Sequence, residues 1–199
     1  ARPLLASKVL PHNASRRGVE RAFEASRQRL GVDCIDLYLL HWRGATPLAE
    51  TVAAFEALKA DGRIRHWGVS NFDTDDMQEL WRLPQGRNCV VNQVLYHVQS
   101  RGIEYDLLPW CREHGVGVMA YCPLGHRGLI GDPLLAGIGR KHGVSGTAVA
   151  LAWAMRSGQV LAIPESGSAE HVRANAAALQ LVLDADDLAA IDAASPPPR

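Results

Sequence analysis

The chain has 199 residues, of which 47% are apolar and 21% charged, with 21 Lys and Arg against 21 Asp and Glu. That is the composition of one globular domain with a sizeable core, neither disordered nor fibrous. The zero formal charge argues against a nucleic-acid or membrane-surface protein, and no apolar run approaches the ~18–20 residues of a membrane span.

Six short apolar runs read as strands: Leu4–Val9, Ile35–Leu40, Ile64–Val69, Val90–Val94, Val116–Tyr121 and Val160–Ile163. In several, apolar residues fill both parities, as parallel strands buried on both faces do. Between them lie helical stretches. Val19, Ala22, Phe23, Ser26 and Leu30 share one helical face, and Gly31 follows as a C-cap. Thr46-Pro47 predicts an N-cap and a first-turn proline for a helix that carries Val52, Phe55 and Leu58 and stops at Gly62. Asp73 starts another, and Ile103 to His114 forms the next, closed by Gly115. A glycine-rich loop then leads to helical pieces near Leu134–His142 and Ser145–Arg156. Ser168 caps a helix to about Leu179, and Asp184 caps a last one before Ser195.

Strict strand–helix alternation means a parallel α/β fold, either a doubly wound sheet or a (β/α)₈ TIM barrel. No G-x-G-x-x-G follows any strand, which removes the main dinucleotide-fold signal. Polar residues gather where strands end: Lys8, His41-Trp42, Ser70-Asn71, Asn92-Gln93, Tyr121 and Glu165-Ser166. A barrel carries its functional groups there, which favours the barrel and predicts convergence on one rim. Taken singly, each is weak, because Lys8 reads equally as a surface lysine and His41 as a satisfied core histidine. A full barrel needs eight strands and typically ~250 residues, so six strands predict that two units are absent. The first residue is Ala1, which fits a chain lacking its native N-terminus.

Cys34, Cys89, Cys111 and Cys122 are scattered, with no C-x-x-C. They read as reduced thiols of a cytoplasmic protein, not as a disulfide framework or a metal site.

Several stretches carry a resemblance over nearly the whole chain: Asp36-Leu37-Tyr38-Leu39-Leu40-His41-Trp42, Gly68-Val69-Ser70-Asn71-Phe72, Val91-Asn92-Gln93-Val94, Ala120-Tyr121-Cys122-Pro123-Leu124 and Ile163-Pro164-Glu165-Ser166. In order and density they resemble the aldo-keto reductase family, and within it the prokaryotic reductases of small aldehydes. The resemblance implies a (β/α)₈ barrel that binds an extended nicotinamide cofactor and reduces carbonyls to alcohols. Lys8 and His41 match catalytic positions, and Trp42 a substrate-pocket aromatic. Ser70, Asn71 and Gln93 match residues that hydrogen-bond the carboxamide, and Tyr121 the aromatic platform under the ring. Cys122, Leu124, Ser166 and Asn175 match further cofactor positions.

Two departures bear on function. The family's catalytic Tyr and Asp precede the lysine, yet only seven residues precede Lys8. The chain alone is therefore expected to be inactive, with a non-catalytic nucleotide-binding or regulatory relative as the alternative. The family's I-P-K-S reads Ile163-Pro164-Glu165-Ser166, and its later arginine is His171. NADPH is the cofactor that the resemblance implies, whereas Glu165 and His171 point to NADH, since acidic residues accept from a ribose 2′-hydroxyl in NAD sites. The expected partner is a small carbonyl substrate.

Overall fold

The computed structural model describes residues 2–198. It is an α/β fold with six strands and divides into two compact units, one ending at Gln93 and the other starting at Val94. No helix among the described residues is long and apolar enough to cross a membrane.

The first unit holds β1 (Ala6–Val9), α1 (Arg16–Leu30), β2 (Ile35–Leu40), α2 (Leu48–Ala60), β3 (Ile64–Ser70), α3 (Thr74–Arg82) and most of β4 (Cys89–Leu95). The strands pair in parallel in chain order, with Lys8 opposite Leu39, Leu39 opposite Gly68 and Val69 opposite Asn92. Gly68 has a local reason. A Cβ there would stand 2.3 Å from the Val91 carbonyl oxygen, so only glycine lets β3 and β4 approach this closely.

α1 forms because the Ser15 hydroxyl accepts from the Gly18 amide and Gly31, at φ 65°, ends the helix in the left-handed region. Its buried face is Val19, Phe23 and Ser26; Leu30, expected on that face, is 42% exposed because it lies in the last turn, beyond the sheet's cover. Behind the strands, Phe23, Tyr38, Phe55 and Trp67 form a run of aromatic contacts with centroids 5.6–5.8 Å apart. Tyr38 thus faces the helices, as its odd spacing from His41 predicts.

Strand ends shift by a residue or two from expectation, and three differences bear on the site and its frame. β1 begins at Ala6 rather than Leu4. Pro47 itself is the N-cap of α2, and no side chain caps that end, so Thr46 does not cap it. Gln93 lies two residues inside β4 rather than at its end.

The second unit holds α4 (Leu107–His114), β5 (Gly117–Tyr121), α5 (Pro133–His142), α6 (Gly146–Met155), β6 (Val160–Ala162), α7 (Ala169–Ala176) and α8 (Ala185–Ala194). β5 and β6 pair in parallel. The helix expected from Ile103 is instead a 3₁₀ turn, Gly102–Glu104, followed by α4. The cause is local: Arg101 and Glu104 are drawn inward to an ion pair of 2.8 Å. Glu104 also meets Arg156 and accepts from the Tyr96 hydroxyl, while both arginines lie over the Trp153 ring. At α8, Asp184 and Asp187 form a reciprocal capping box. Lys141 and His142 at the end of α5 hold Asp187, at 2.9 and 2.7 Å.

Candidate active site

In the first unit, six of the expected residues form one connected cluster. Lys8 Nζ donates to Gln93 Oε1 at 2.6 Å. β2 and β3 separate their strands, so a flat sheet would put them about 14 Å apart at ~4.8 Å per spacing. Side chains stand roughly perpendicular to a sheet, so the contact requires this sheet to curl, with Lys8 and Gln93 on its concave face. The aromatic run lies behind it.

The Gln93 carbonyl accepts from Ser70 Oγ at 2.7 Å and from the Asn71 amide at 2.9 Å. Asn71 takes a left-handed backbone, φ 58°, directly after β3. Its Nδ2 then donates to the His41 carbonyl at 3.0 Å. His41 follows β2, its amide tied to the Val9 carbonyl at 2.9 Å. Trp42, 43% exposed, leans on the His41 ring with centroids 4.5 Å apart. The strand ends therefore hold one another in place through main-chain and side-chain bonds.

The electrostatics follow from burial and from one uncancelled charge. Burial holds the Lys8 ammonium below the ordinary lysine range. The His41 imidazole is also held below its ordinary value, first by burial and then by the Lys8 charge. At neutral pH this leaves a neutral imidazole beside a cation. Among the described residues, neither group is in a salt bridge. A neutral N–H donor and an ammonium on one concave face suit a carbonyl oxygen that gains negative charge.

In the second unit, Tyr121 ends β5, half-buried, its phenol pushed up first by burial and then by Cys122. Cys122, at φ 47°, places Sγ 3.5 Å from His126 Nδ1. Leu124 packs against a cluster of Ala148, Leu151, Ala152 and Ala178. Beyond β6, Glu165 is exposed and Ser166 Oγ folds onto the Ser168 main chain at 3.2 Å. His171 and Asn175 lie one turn apart on α7, the first exposed and the second half-buried.

In the first unit, Ser70, Asn71 and Gln93 bring together the hydroxyl and amide groups that a nicotinamide carboxamide would need; in the second, Tyr121 offers a half-buried ring. Sequence reasoning missed that Gln93 is the acceptor for Lys8. Its signal, an N-Q pair in an apolar strand, says nothing of a partner 85 positions away.

Comparison with known proteins agrees with this chemistry. The sequence profile of the Aldo/keto reductase family matches residues 1–196. Methylglyoxal reductase YeaE of Escherichia coli is 50% identical over 98% of this chain and 70% of its own length. NADH-specific methylglyoxal reductase of E. coli is 32% identical over 90% of this chain and 65% of its own. Among solved structures, an aldo/keto reductase from Klebsiella pneumoniae in complex with NADP and acetate superposes with a TM-score of 0.96 at 51% identity, covering 98% of this chain and 71% of that one. The chain belongs to the aldo/keto reductase family.

Proposed function

We propose that this protein reduces small aldehydes and ketones with a nicotinamide cofactor, and that α-oxoaldehydes such as methylglyoxal are its substrate class. The carrying observation is the linked set of strand ends in the first unit, with Lys8 held by Gln93, Asn71 held to His41, and the His41 imidazole kept below its ordinary value by burial and by the Lys8 charge. The relatives' names supply the substrate class. The curl of the first unit's sheet supports a barrel-type fold of (β/α)₈ kind.

A bound reduced nicotinamide supplies the hydride. The chain's own residues do the rest. His41 donates a hydrogen bond that orients the carbonyl, and Lys8 stabilises charge growing on its oxygen. Trp42 gives the substrate an apolar wall. Ser70, Asn71 and Gln93 would hold the carboxamide, and Tyr121 would offer its ring to the nicotinamide. Cys122, Leu124, Ser166 and Asn175 would bind the remainder, and Glu165 and His171 would meet the 2′ substituent of the ribose.

A proton donor must complete the reaction. Tyr38 is buried among aromatics with its phenol pushed up to about 12, and Tyr96 is buried and engaged by Glu104. Both phenols are thus turned to surroundings other than Lys8, and a second reading is a nucleotide-binding relative that does not itself catalyse the reduction.

The test is to mix the purified chain with NADPH or NADH and methylglyoxal and to follow cofactor absorbance, with cofactor binding measured in parallel. Consumption that is lost on His41→Ala supports reduction. Binding without consumption supports the second reading, and neither binding nor consumption overturns both.

A further inference from the structure

The loop after β2 that carries Trp42 is pinned on both sides of that residue. On one side, the His41 amide donates to the Val9 carbonyl at 2.9 Å, and the His41 carbonyl accepts from Asn71 Nδ2 at 3.0 Å. On the other, the Arg43 guanidinium reaches α3. One of its nitrogens meets Asp76 Oδ1 at 3.1 Å and the other meets Glu79 Oε1, one turn further along, at 2.8 Å. Gly44 follows, so near Pro11 that a Cβ there would stand 2.5 Å from the rigid proline ring. α3 is a firm anchor, because Asp73 caps it and Met77 and Leu80 are fully buried beneath it. Trp42 itself is 43% exposed, with the His41 ring as its neighbour at 4.5 Å between centroids. An indole this open is held weakly by burial, so its place depends on the backbone to either side.

Ion pairs as exposed as those of Arg43 add little to stability, because solvent screens them. What a guanidinium adds across two carboxylates is direction: two bonds fix its plane, where one leaves a swivel. We propose that Arg43 is a positioning residue that sets the substrate specificity of the site, clamping the loop after β2 to α3 so that the Trp42 indole stays against the His41 imidazole. This rests on the carbonyl-reduction reading above, in which Trp42 walls the substrate; the placement of the indole is measurable apart from turnover. With the clamp closed, the space beside His41 is fixed and suits a small carbonyl. With the clamp open, the wall yields. A small substrate then loses contact, and a bulkier one gains room.

The experiment is ¹⁹F NMR of the full chain labelled with 5-fluorotryptophan, with the Trp42 resonance assigned by its loss in Trp42→Phe. In Arg43→Met that resonance moves or broadens while the melting temperature changes little. Arg43→Lys keeps the charge without the fork and falls between wild type and Arg43→Met. Joint replacement of Asp76→Asn and Glu79→Gln reproduces Arg43→Met from the α3 side. A Trp42 resonance unmoved in Arg43→Met and in the joint variant overturns the proposal. Movement of all five tryptophan resonances together overturns it as well, because that marks a general loosening of the fold. If Arg43→Met does not fold, the joint variant decides alone.

Kinetics then test the specificity. Methylglyoxal is compared with benzaldehyde, which brings the same reacting group on a bulkier, flat substituent. In Arg43→Met, KM for methylglyoxal rises by roughly three- to tenfold while kcat changes less, the pattern of lost binding rather than lost chemistry. The preference for methylglyoxal over benzaldehyde, as the ratio of kcat/KM, falls on the order of tenfold, and Arg43→Lys recovers part of it. A preference that Arg43→Met leaves unchanged in an active enzyme overturns the specificity role. A shifted Trp42 resonance with no wild-type turnover overturns the carbonyl-reduction reading and supports the clamp.

Discussion

Asn71 donates its side-chain amide to the main-chain carbonyl of His41 at 3.0 Å, across the ends of β3 and β2. The bond depends on backbone geometry, since Asn71 sits at φ 58°, where asparagine is tolerated better than most residues. Asn71→Ala loses the bond and keeps the strained backbone. The expected cost is roughly 0.5–1.5 kcal/mol for the bond, plus the part of the left-handed penalty that asparagine escapes and alanine does not. Asn71→Gly relieves the backbone and loses only the bond, so it is the milder variant. Urea unfolding of both checks the order, and an alanine variant as stable as the glycine variant refutes the backbone share.

How much of this was legible in the sequence depended on the range of the interaction. Strand-end chemistry was legible, because a polar residue closing an apolar run is a local pattern. Lys8, His41, Ser70 and Asn71 were found that way, and the helix caps at Asp73, Ser145, Ser168 and Asp184 likewise. The contact of Lys8 with Gln93 was not, because it is set by sheet curl. Glu104 shows the same limit. Its sequence neighbourhood reads as helix, and beside the nearby Arg101 its partners include Arg156, 52 positions away, a contact that no local pattern announces.

Asp187 is a buried carboxylate that anchors α8. Burial alone would raise its pKa, but hydrogen bonds from Lys141, His142 and the Asp184 amide bring it down to about 2. A carboxylate held below its unfolded value stabilises the fold above that unfolded value, ~3.9, and loses this contribution as pH falls toward 2. Asp187→Asn should cost about 1–3 kcal/mol at pH 7. It should also flatten the decline in stability between about pH 4 and 2. Thermal melts of both proteins across that range check it, and a difference that stays constant with pH counts against the ion pairs as its source.

In the proposed reaction Lys8 and His41 act on the same oxygen by different means, so their variants should differ in pH dependence as well as in rate. Lys8→Met and His41→Ala each remove a group that stabilises growing charge, and kcat/KM should fall on the order of 10² or more. Lys8→Met also removes the cation that holds the His41 pKa down, so the His41 midpoint should rise. His41→Ala should leave Lys8 dominated by burial, still below the ordinary lysine range. Steady-state kinetics and an NMR titration of the His41 ring decide this. A His41 midpoint unmoved by Lys8→Met would show that the two groups do not share a field.

In the proposed cofactor site, Glu165 and His171 would meet the 2′ substituent of the ribose. Glu165 is exposed after β6 and in no ion pair among the described residues, and His171 is exposed in the first turn of α7. A phosphate placed near Glu165 meets repulsion, limited by solvent screening to about 1 kcal/mol. Two cations in those places would each give charge-assisted hydrogen bonds, and their absence forgoes roughly a further 1.5–3 kcal/mol. A ribose 2′-hydroxyl, by contrast, donates to the Glu165 carboxylate. The sum suffices to erase a strong preference for NADPH, so NADH should be used at least comparably. Glu165→Lys should shift the ratio of kcat/KM toward NADPH by tenfold or more, about 1.4 kcal/mol, acting mainly through cofactor KM. The measurement is that ratio in wild type and variant. A wild type that prefers NADPH a hundredfold, with the preference unchanged by the substitution, would place Glu165 away from the ribose.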